Sequence, residues 1–218
     1  VIDYAIIDNT ATLLYLANLG TIEVHPWHSR VEDVKHPDWM ILDLDPVGAD
    51  YETVCQVAQA IRETLGQFDL RGYPKTTGSR GIHIFVPIEP RYDYERVVRL
   101  AQHVAVIVGT EHPDIVTLAR AAARRSAGRV YIDYGQNAKG KSIAAAYSVR
   151  ARAGATVSAP LAWDEVKPGL KLQQFTLENM PARIHDRGDL FRGVLEHPQS
   201  LDDALTEMAR QNKSRKTK

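Results

Sequence analysis

A single cysteine, Cys55, stands among 218 residues. That excludes an internal disulfide and any cysteine-rich zinc site, and it fits a reducing cytoplasm. An excess of charge is also missing. The chain carries 27 Lys and Arg against 27 Asp and Glu, so net charge gives no pointer to a polyanionic partner and only local clusters can. No apolar run approaches membrane-spanning length, no signal peptide is visible and no internal repeat recurs. The expectation is a cytoplasmic protein with no membrane partner. An initiating Met is absent too: "VIDYAIID" reads as a strand entered midway, with natural sequence expected upstream.

What is present is an ordinary globular balance, 44% hydrophobic and 25% charged, with length for one sizeable core. "NTATLLYLANLG" reads as a short helix capped by Asn9 or Thr10 and stopped at Gly20. "TIEVHPWHS" reads as a brief strand, and "DWMILDLDP" as a buried one. In "DYETVCQVAQAIRETLGQF", Val54, Val57, Ala58, Ile61 and Leu65 fall on one helical face. "RGYPKTTGSRGIHIFVPIEP" is punctuated as a hairpin, and "DYERVVRLAQHVAVIVGTEHP" is a second amphipathic helix. "RVYIDY" and "IAAAYSVRAR" read as further strands, followed by surface strands and short helices. The fold class is therefore α+β, a mostly antiparallel central sheet with flanking helices. Residues 1–195 are expected to form the main domain, and 196–218 a helix ending in the flexible basic tail "RQNKSRKTK".

The chemistry concentrates in "ILDLDP". Asp43 and Asp45 lie two apart on a strand, so both carboxylates leave the same face. Side by side they repel unless a hard cation such as Mg²⁺ or Mn²⁺ lies between them; the alternative is a solvated strand face. Asp133, at the end of "VYID", is by itself either a turn-initiating aspartate or the third member of that cluster. The hairpin "KTTGSRGIHIF" offers Gly78 and Gly81 to let backbone amides approach an anion, the hydroxyls of Thr77 and Ser79, the charge of Arg80 and the ring of His83. That suits a triphosphate, and it equally suits a plain glycine-rich hairpin. Arg150 and Arg152 would share a strand face and grip phosphates as rigid forks, or form an exposed basic strand. His25 and His28 are too sparse to specify zinc. His25 is expected to make a polar contact beside the acidic strand and His28 to be exposed.

"GQNAKGKS", Gly135 to Ser142, satisfies the phosphate-loop pattern G-x-x-x-x-G-K-[ST]. A phosphate loop needs a helix next, and the residues after Lys141 read as a strand.

Together, "ANLGTIEVHPWHSR", "DWMILDLDP", "KTTGSRGIHIFVP" and "VYIDYGQN…YSVRARAGATVSAPLAWDEV" resemble the polymerase domain of bacterial ligase D, of the archaeo-eukaryotic primase superfamily. The resemblance runs to about "FTLENMPARI". It implies a primase-polymerase fold and a template-dependent nucleotidyltransferase of non-homologous end joining. Such an enzyme prefers ribonucleotides, takes NTP or dNTP as substrate and uses two Mn²⁺ or Mg²⁺ ions. DNA ends or gapped duplexes, Ku, and a fused or separate ligase are the implied partners.

Asp43, Asp45 and Asp133 match the metal-binding aspartates, and His25 the histidine before the acidic strand. Thr77 and His83 match the Ser and His of the family's "S-G-G-K-G-x-H", with Arg80 in place of its lysine. Gln136, Arg150 and Arg152 match further nucleotide-site positions. Lys139 and Lys141 then lie in a loop between strands, as mobile charges near phosphates or DNA. "AAYS" replaces the usual "APYS", and the longer basic turn "RRSAGR" leaves Arg124 and Arg125 as candidate DNA or phosphate contacts. The family's N-terminal region, which grips a recessed 5′-phosphate, has no counterpart here, so weak binding of DNA ends is expected. Three other readings compete: a phosphate-loop ATPase, a metal-dependent nuclease using the same carboxylates, and a non-catalytic DNA-end-binding module.

Overall fold

Met40, Leu42 and Leu44 alternate with Ile41, Asp43 and Asp45, and that period of two decides which side of the sheet is core. The computed structural model of the chain describes residues 3–216. In it, β1 (Trp39–Val47) is the central strand of a five-stranded sheet, flanked by β3 (Ile82–Pro87) and β5 (Arg129–Asp133). β2 (Tyr73–Thr76) lies outside β3 and β4 (Val116–Thr117) outside β5, giving the order β2-β3-β1-β5-β4. All pairings are antiparallel except β4 with β5. The mostly antiparallel α+β expectation holds. The two-residue β4, too short for any periodicity, went unread.

The even-numbered side chains of β1, with Ile82, Ile84, Val86, Val130 and Ile132, pack against α2 (Tyr51–Gln67) and α3 (Tyr94–Glu111). Each fully buried aliphatic side chain there contributes roughly 1.5–3 kcal/mol. Both helices start where a carboxylate caps them: Asp50 Oδ1 accepts from Thr53 N at 2.8 Å, and Asp93 Oδ1 from Arg96 N at 2.8 Å. The apolar face read for α2, from Val54 to Leu65, is buried throughout. Downstream of α4 (Met180–Arg187) and α5 (Arg192–Glu196), α6 (Asp202–Lys216) docks on α3. Leu201 and Ala204 enter the main core, and Arg91 clamps Asp202 at 2.7 Å. The expected flexible tail is thus helical through Lys216, with Thr217 and Lys218 outside the described residues.

Three expected strands are absent. Residues 3–8 form none ahead of α1 (Thr10–Asn18), and Val1 and Ile2 lie outside the described residues. "TIEVHPWHS" and "IAAAYSVRAR" make single bridges, Trp27 to Ser142 and Val149 to Val157. Between them the chain segments exchange scattered backbone bonds, such as Ala145 N to Val24 O at 2.9 Å, so their amides are satisfied without a ladder. No helix among the described residues is long and apolar enough to cross a membrane.

Candidate active site

The face of the sheet opposite α2 and α3 carries the polar residues. Its register is one continuous row: Lys75 opposite His83, His83 opposite Asp43, and Asp43 opposite Asp133. The next row pairs Asp45 with Tyr131. On the other side of the polar row, Ile41 and Phe85 join Ile143 and Val194 in a second apolar cluster. The polar row therefore lies between a covered apolar patch and an open edge. That edge exists because β3 stops pairing with β1 at Leu44, one residue before Asp45 and two before Pro46, which has no amide proton to offer a ladder.

Antiparallel pairing thus brings Asp43, Asp45 and Asp133 onto one face, as the strand spacing required. Asp43 is buried, and its Oδ1 has no hydrogen-bond partner, with His83 Nε2 at 3.3 Å. Burial pushes its carboxyl up to about 6, against the opposing charge of Lys75 and a hydrogen bond from Gln136. Asp45 stands at the open edge; partial desolvation and the charges of Asp43 and Asp133 raise it to about 6 as well. Asp133 Oδ1 accepts from Gly135 N at 2.9 Å and from Tyr131 Oη at 3.3 Å. Its carboxylate is therefore partly turned back on its own turn. Among the described residues no three His, Cys, Asp or Glu side chains are already closed into a coordination sphere. The chemistry of the three carboxylates still fits a hard divalent cation: all their donor atoms are oxygens, they repel one another, and one buried oxygen is left without a partner.

The loop after Asp133 is a short 3₁₀ turn over Tyr134–Asn137. Asn137, which sequence reasoning passed over, pins it to the acidic strand: its Oδ1 accepts from Ile41 N at 2.7 Å and its Nδ2 donates to Ile41 O at 2.6 Å. Gln136 reaches Asp43 from this turn, and its own Oε1 is buried without a partner. After exposed Lys139 and Lys141 the chain runs beside residues 24–27, with no helix. The phosphate-loop match is coincidental, as the strand-like residues after it suggested.

In the hairpin the expectation needs correcting. The amides of Ser79, Arg80 and Gly81 all donate to Thr77 Oγ1, at 3.0, 3.2 and 3.1 Å. They organise the turn instead of lining an anion site. Arg80 is exposed at the tip, and its charge reaches Asp45. His83 is buried in the polar row, with Lys75 Nζ on its Nδ1 at 2.9 Å.

Arg150 and Arg152 do not share a strand face. Arg150 donates to Thr77 O at 2.8 Å and lies 3.2 Å from Glu23, while Arg152 is exposed in the turn before Gly154. The guanidinium carbon of Arg125 lies over Tyr131, 3.5 Å from the ring centre, and its charge acts on Asp45; Arg124 is exposed. His25 is exposed and bonds Glu23 at 3.1 Å, near enough to His83 to influence it electrostatically. His28 is buried, contrary to expectation. Its Nδ1 accepts from Trp39 Nε1 at 2.8 Å, and burial holds it down at about 4.

Glu23, another residue the sequence did not single out, ties these parts together. Ala151 N, His25 and Arg150 all favour its charged form, holding the carboxyl at about 2 against an ordinary 4.5. A depressed carboxyl stabilises the fold fully above its unfolded value and loses that contribution as pH falls through the folded one. The stability gap between wild type and Glu23→Gln is therefore expected to be complete at pH 6 and to close between about pH 4.5 and 2. Urea midpoints measured across that range check it; a gap independent of pH would sink the assignment.

Residues 1–191 match the family described as LigD, primase-polymerase domain. The chain is 30% identical over 215 residues to the bifunctional non-homologous end joining protein LigD of Bacillus subtilis, covering 98% of this chain and 34% of that protein. To the multifunctional non-homologous end joining protein LigD of Mycolicibacterium smegmatis it is 32% identical, over 93% of this chain and 27% of that one. The chain thus spans about a third or less of these relatives. Among solved structures, the polymerase domain from Mycobacterium tuberculosis ligase D in complex with DNA superposes with a TM-score of 0.80 at 30% identity, over 89% of this chain and 71% of that one.

Proposed function

The chain belongs to the LigD primase-polymerase family, and from its site we propose that it is a template-dependent nucleotidyltransferase. It extends DNA ends or gaps with NTP or dNTP, ribonucleotides preferred, in non-homologous end joining. The observation that carries this reading is the acidic row itself: three aspartates on one sheet face, with an unpartnered buried oxygen on Asp43.

Asp43, Asp45 and Asp133 would hold two Mg²⁺ or Mn²⁺ ions, which when bound supply Lewis-acid activation of a primer 3′-hydroxyl and neutralise the departing pyrophosphate. The protein's own groups do the positioning. His83 presents a donor beside Asp43, and Arg80, Arg125 and Arg150 supply fixed positive charge around the row where a triphosphate's charge develops. Gln136 steadies the Asp43 carboxylate. Exposed Lys139, Lys141, Arg124 and Arg152 suit phosphate contacts with the DNA strands. The proposed catalytic unit covers 1–195, with the segment from 196 packed on it. Ku and a fused or separate ligase are the proposed partners, in the nucleoid of a bacterial cytoplasm.

The test is extension of a gapped, 5′-phosphorylated duplex, with NTP against dNTP and Mg²⁺ against Mn²⁺. Incorporation that depends on template and divalent ion is expected, and none under any combination would sink the proposal. At saturating DNA Lys141→Ala is expected to incorporate close to the wild-type rate, losing only one exposed phosphate contact, because Lys141 stands in a loop with no helix behind it. Loss of all nucleotide turnover in that variant would revive the phosphate-loop reading.

A further inference from the structure

We propose that Lys75 is a positioning residue of the nucleotide site, holding the His83 ring in the tautomer that turns Nε2–H toward the acidic row. The kinetic consequence rests on the polymerase reading above; the tautomer rests on geometry alone.

Lys75 is wholly buried, and its nitrogen faces two polar side chains: His83 Nδ1 at 2.9 Å and Ser158 Oγ at 2.5 Å. A Ser hydroxyl has one proton, and that of Ser158 goes to the Thr76 carbonyl at 2.9 Å. Ser158 therefore accepts from Lys75. The ring of Phe85, 5.5 Å away, offers a π face, which also favours a cation. Burial and the nearby charge of Arg150 draw Lys75 down to about 7, while Asp43, the Ser158 oxygen and the Phe85 face favour its charged form; below that pH it is an ammonium with donors only, and His83 Nδ1 accepts. An imidazole that accepts at Nδ1 is neutral and carries its proton on Nε2.

Nε2 lies 3.3 Å from Asp43 Oδ1. With its proton there, His83 offers a donor to a carboxylate or a phosphate oxygen; in the other tautomer it would turn a lone pair on both. Lys75, His83 and Asp43 occupy matching positions on three adjacent strands, so this contact is built into the sheet register. Lys75 touches no reacting group itself and acts through the ring.

The experiment has two readouts. In protein labelled with ¹⁵N-histidine, two-bond ¹H–¹⁵N spectra identify the tautomer of His83, assigned by comparison with His83→Ala. Nε2–H is expected in the wild type, and a mixture or Nδ1–H in Lys75→Met, which keeps the volume and removes the donor. In extension assays Lys75→Met is expected to raise KM for the nucleotide about tenfold, with a smaller change in kcat, as for one lost charge-assisted hydrogen bond. In a His83→Ala background the same substitution should cost nothing further.

An Nδ1–H wild-type ring overturns the proposal, as does an equal loss in both backgrounds. If Lys75→Met does not fold, Ser158→Ala removes the other anchor of the lysine. It should give a smaller KM rise that again vanishes without His83, and persistence of that rise overturns the proposal. Failure of the wild type to incorporate nucleotide strikes the polymerase reading and leaves the tautomer measurement to decide this one.

Discussion

Asp43→Ala is expected to lower nucleotide incorporation on the order of a thousandfold or more, without unfolding the protein. The two halves of that expectation have one cause. Asp43 is buried with Oδ1 unbonded, and desolvation outweighs the opposing charge of Lys75 and the Gln136 hydrogen bond, raising the carboxyl to about 6. Without a cation, an ionised Asp43 is therefore a net burden on the fold, but deleting it also takes the opposing charge from buried Lys75, so thermal stability should change little. With a divalent cation the sign reverses. Binding to the native state alone stabilises it, so wild type should gain melting temperature on adding Mn²⁺ and Asp43→Ala should not.

Asp133→Ala separates the roles. It should also lose incorporation, but it forfeits the bonds from Gly135 N and Tyr131 Oη and so should lose about 1 kcal/mol of stability in either condition. Extension assays paired with melts, each with and without Mn²⁺, distinguish the three proteins. Near-wild-type incorporation by Asp43→Ala would end the two-metal reading.

The acidic row was legible because a strand's period of two is rigid. Once "ILDLDP" is a strand, Asp43 and Asp45 must share a face, and an antiparallel neighbour ending in Asp133 can supply the third carboxylate. α2 and α3 were legible for the same kind of reason, an apolar stripe at helical spacing behind an Asp cap. What could not be read were segments whose hydrogen bonds run to partners far along the chain. Residues 143–160 look strand-like by composition, yet they pair one residue at a time with 24–27, with Thr176 and with the β2 strand. His28 appeared to be a loop histidine because nothing local announces Trp39 as its partner. Lys75 was readable in principle. A hairpin turning over 77–81 places residue 75 opposite 83, but pairing a lysine with a histidine in a dry interior runs against every local preference, so the register was not followed through.

Gly81→Ala is the largest expected loss of stability, and it tests whether hairpin and acidic strand form one unit. An added Cβ at Gly81 would fall onto the backbone carbonyl oxygen of Leu44, with Leu44 C at 3.2 Å and Thr77 Cγ2 at 3.4 Å behind it. Nothing flexible can yield there: on one side is the central strand, on the other the turn that Thr77 Oγ1 holds through three amides. Relief requires the hairpin tip to move off β1 at the last pair of that ladder, Leu44 with Ile82, one residue from Asp43 and Asp45. Overpacking against backbone should cost at least about 3 kcal/mol, roughly 6–12 °C of melting temperature in a domain of this size.

Gly140→Ala is the matched comparison. That glycine also sits in a loop near the site, at φ +80°, but no atom lies within 4 Å of its added Cβ. Only backbone strain of about 1–2 kcal/mol remains there. Melting curves for the two variants should therefore separate clearly. In Gly81→Ala the surviving folded fraction should also incorporate nucleotide poorly, because His83 and the aspartates are positioned by the seam that the new methyl group opens. Equal and small shifts in both variants would mean that the hairpin tip moves independently of the acidic strand, and that the polar row is not held in register by it.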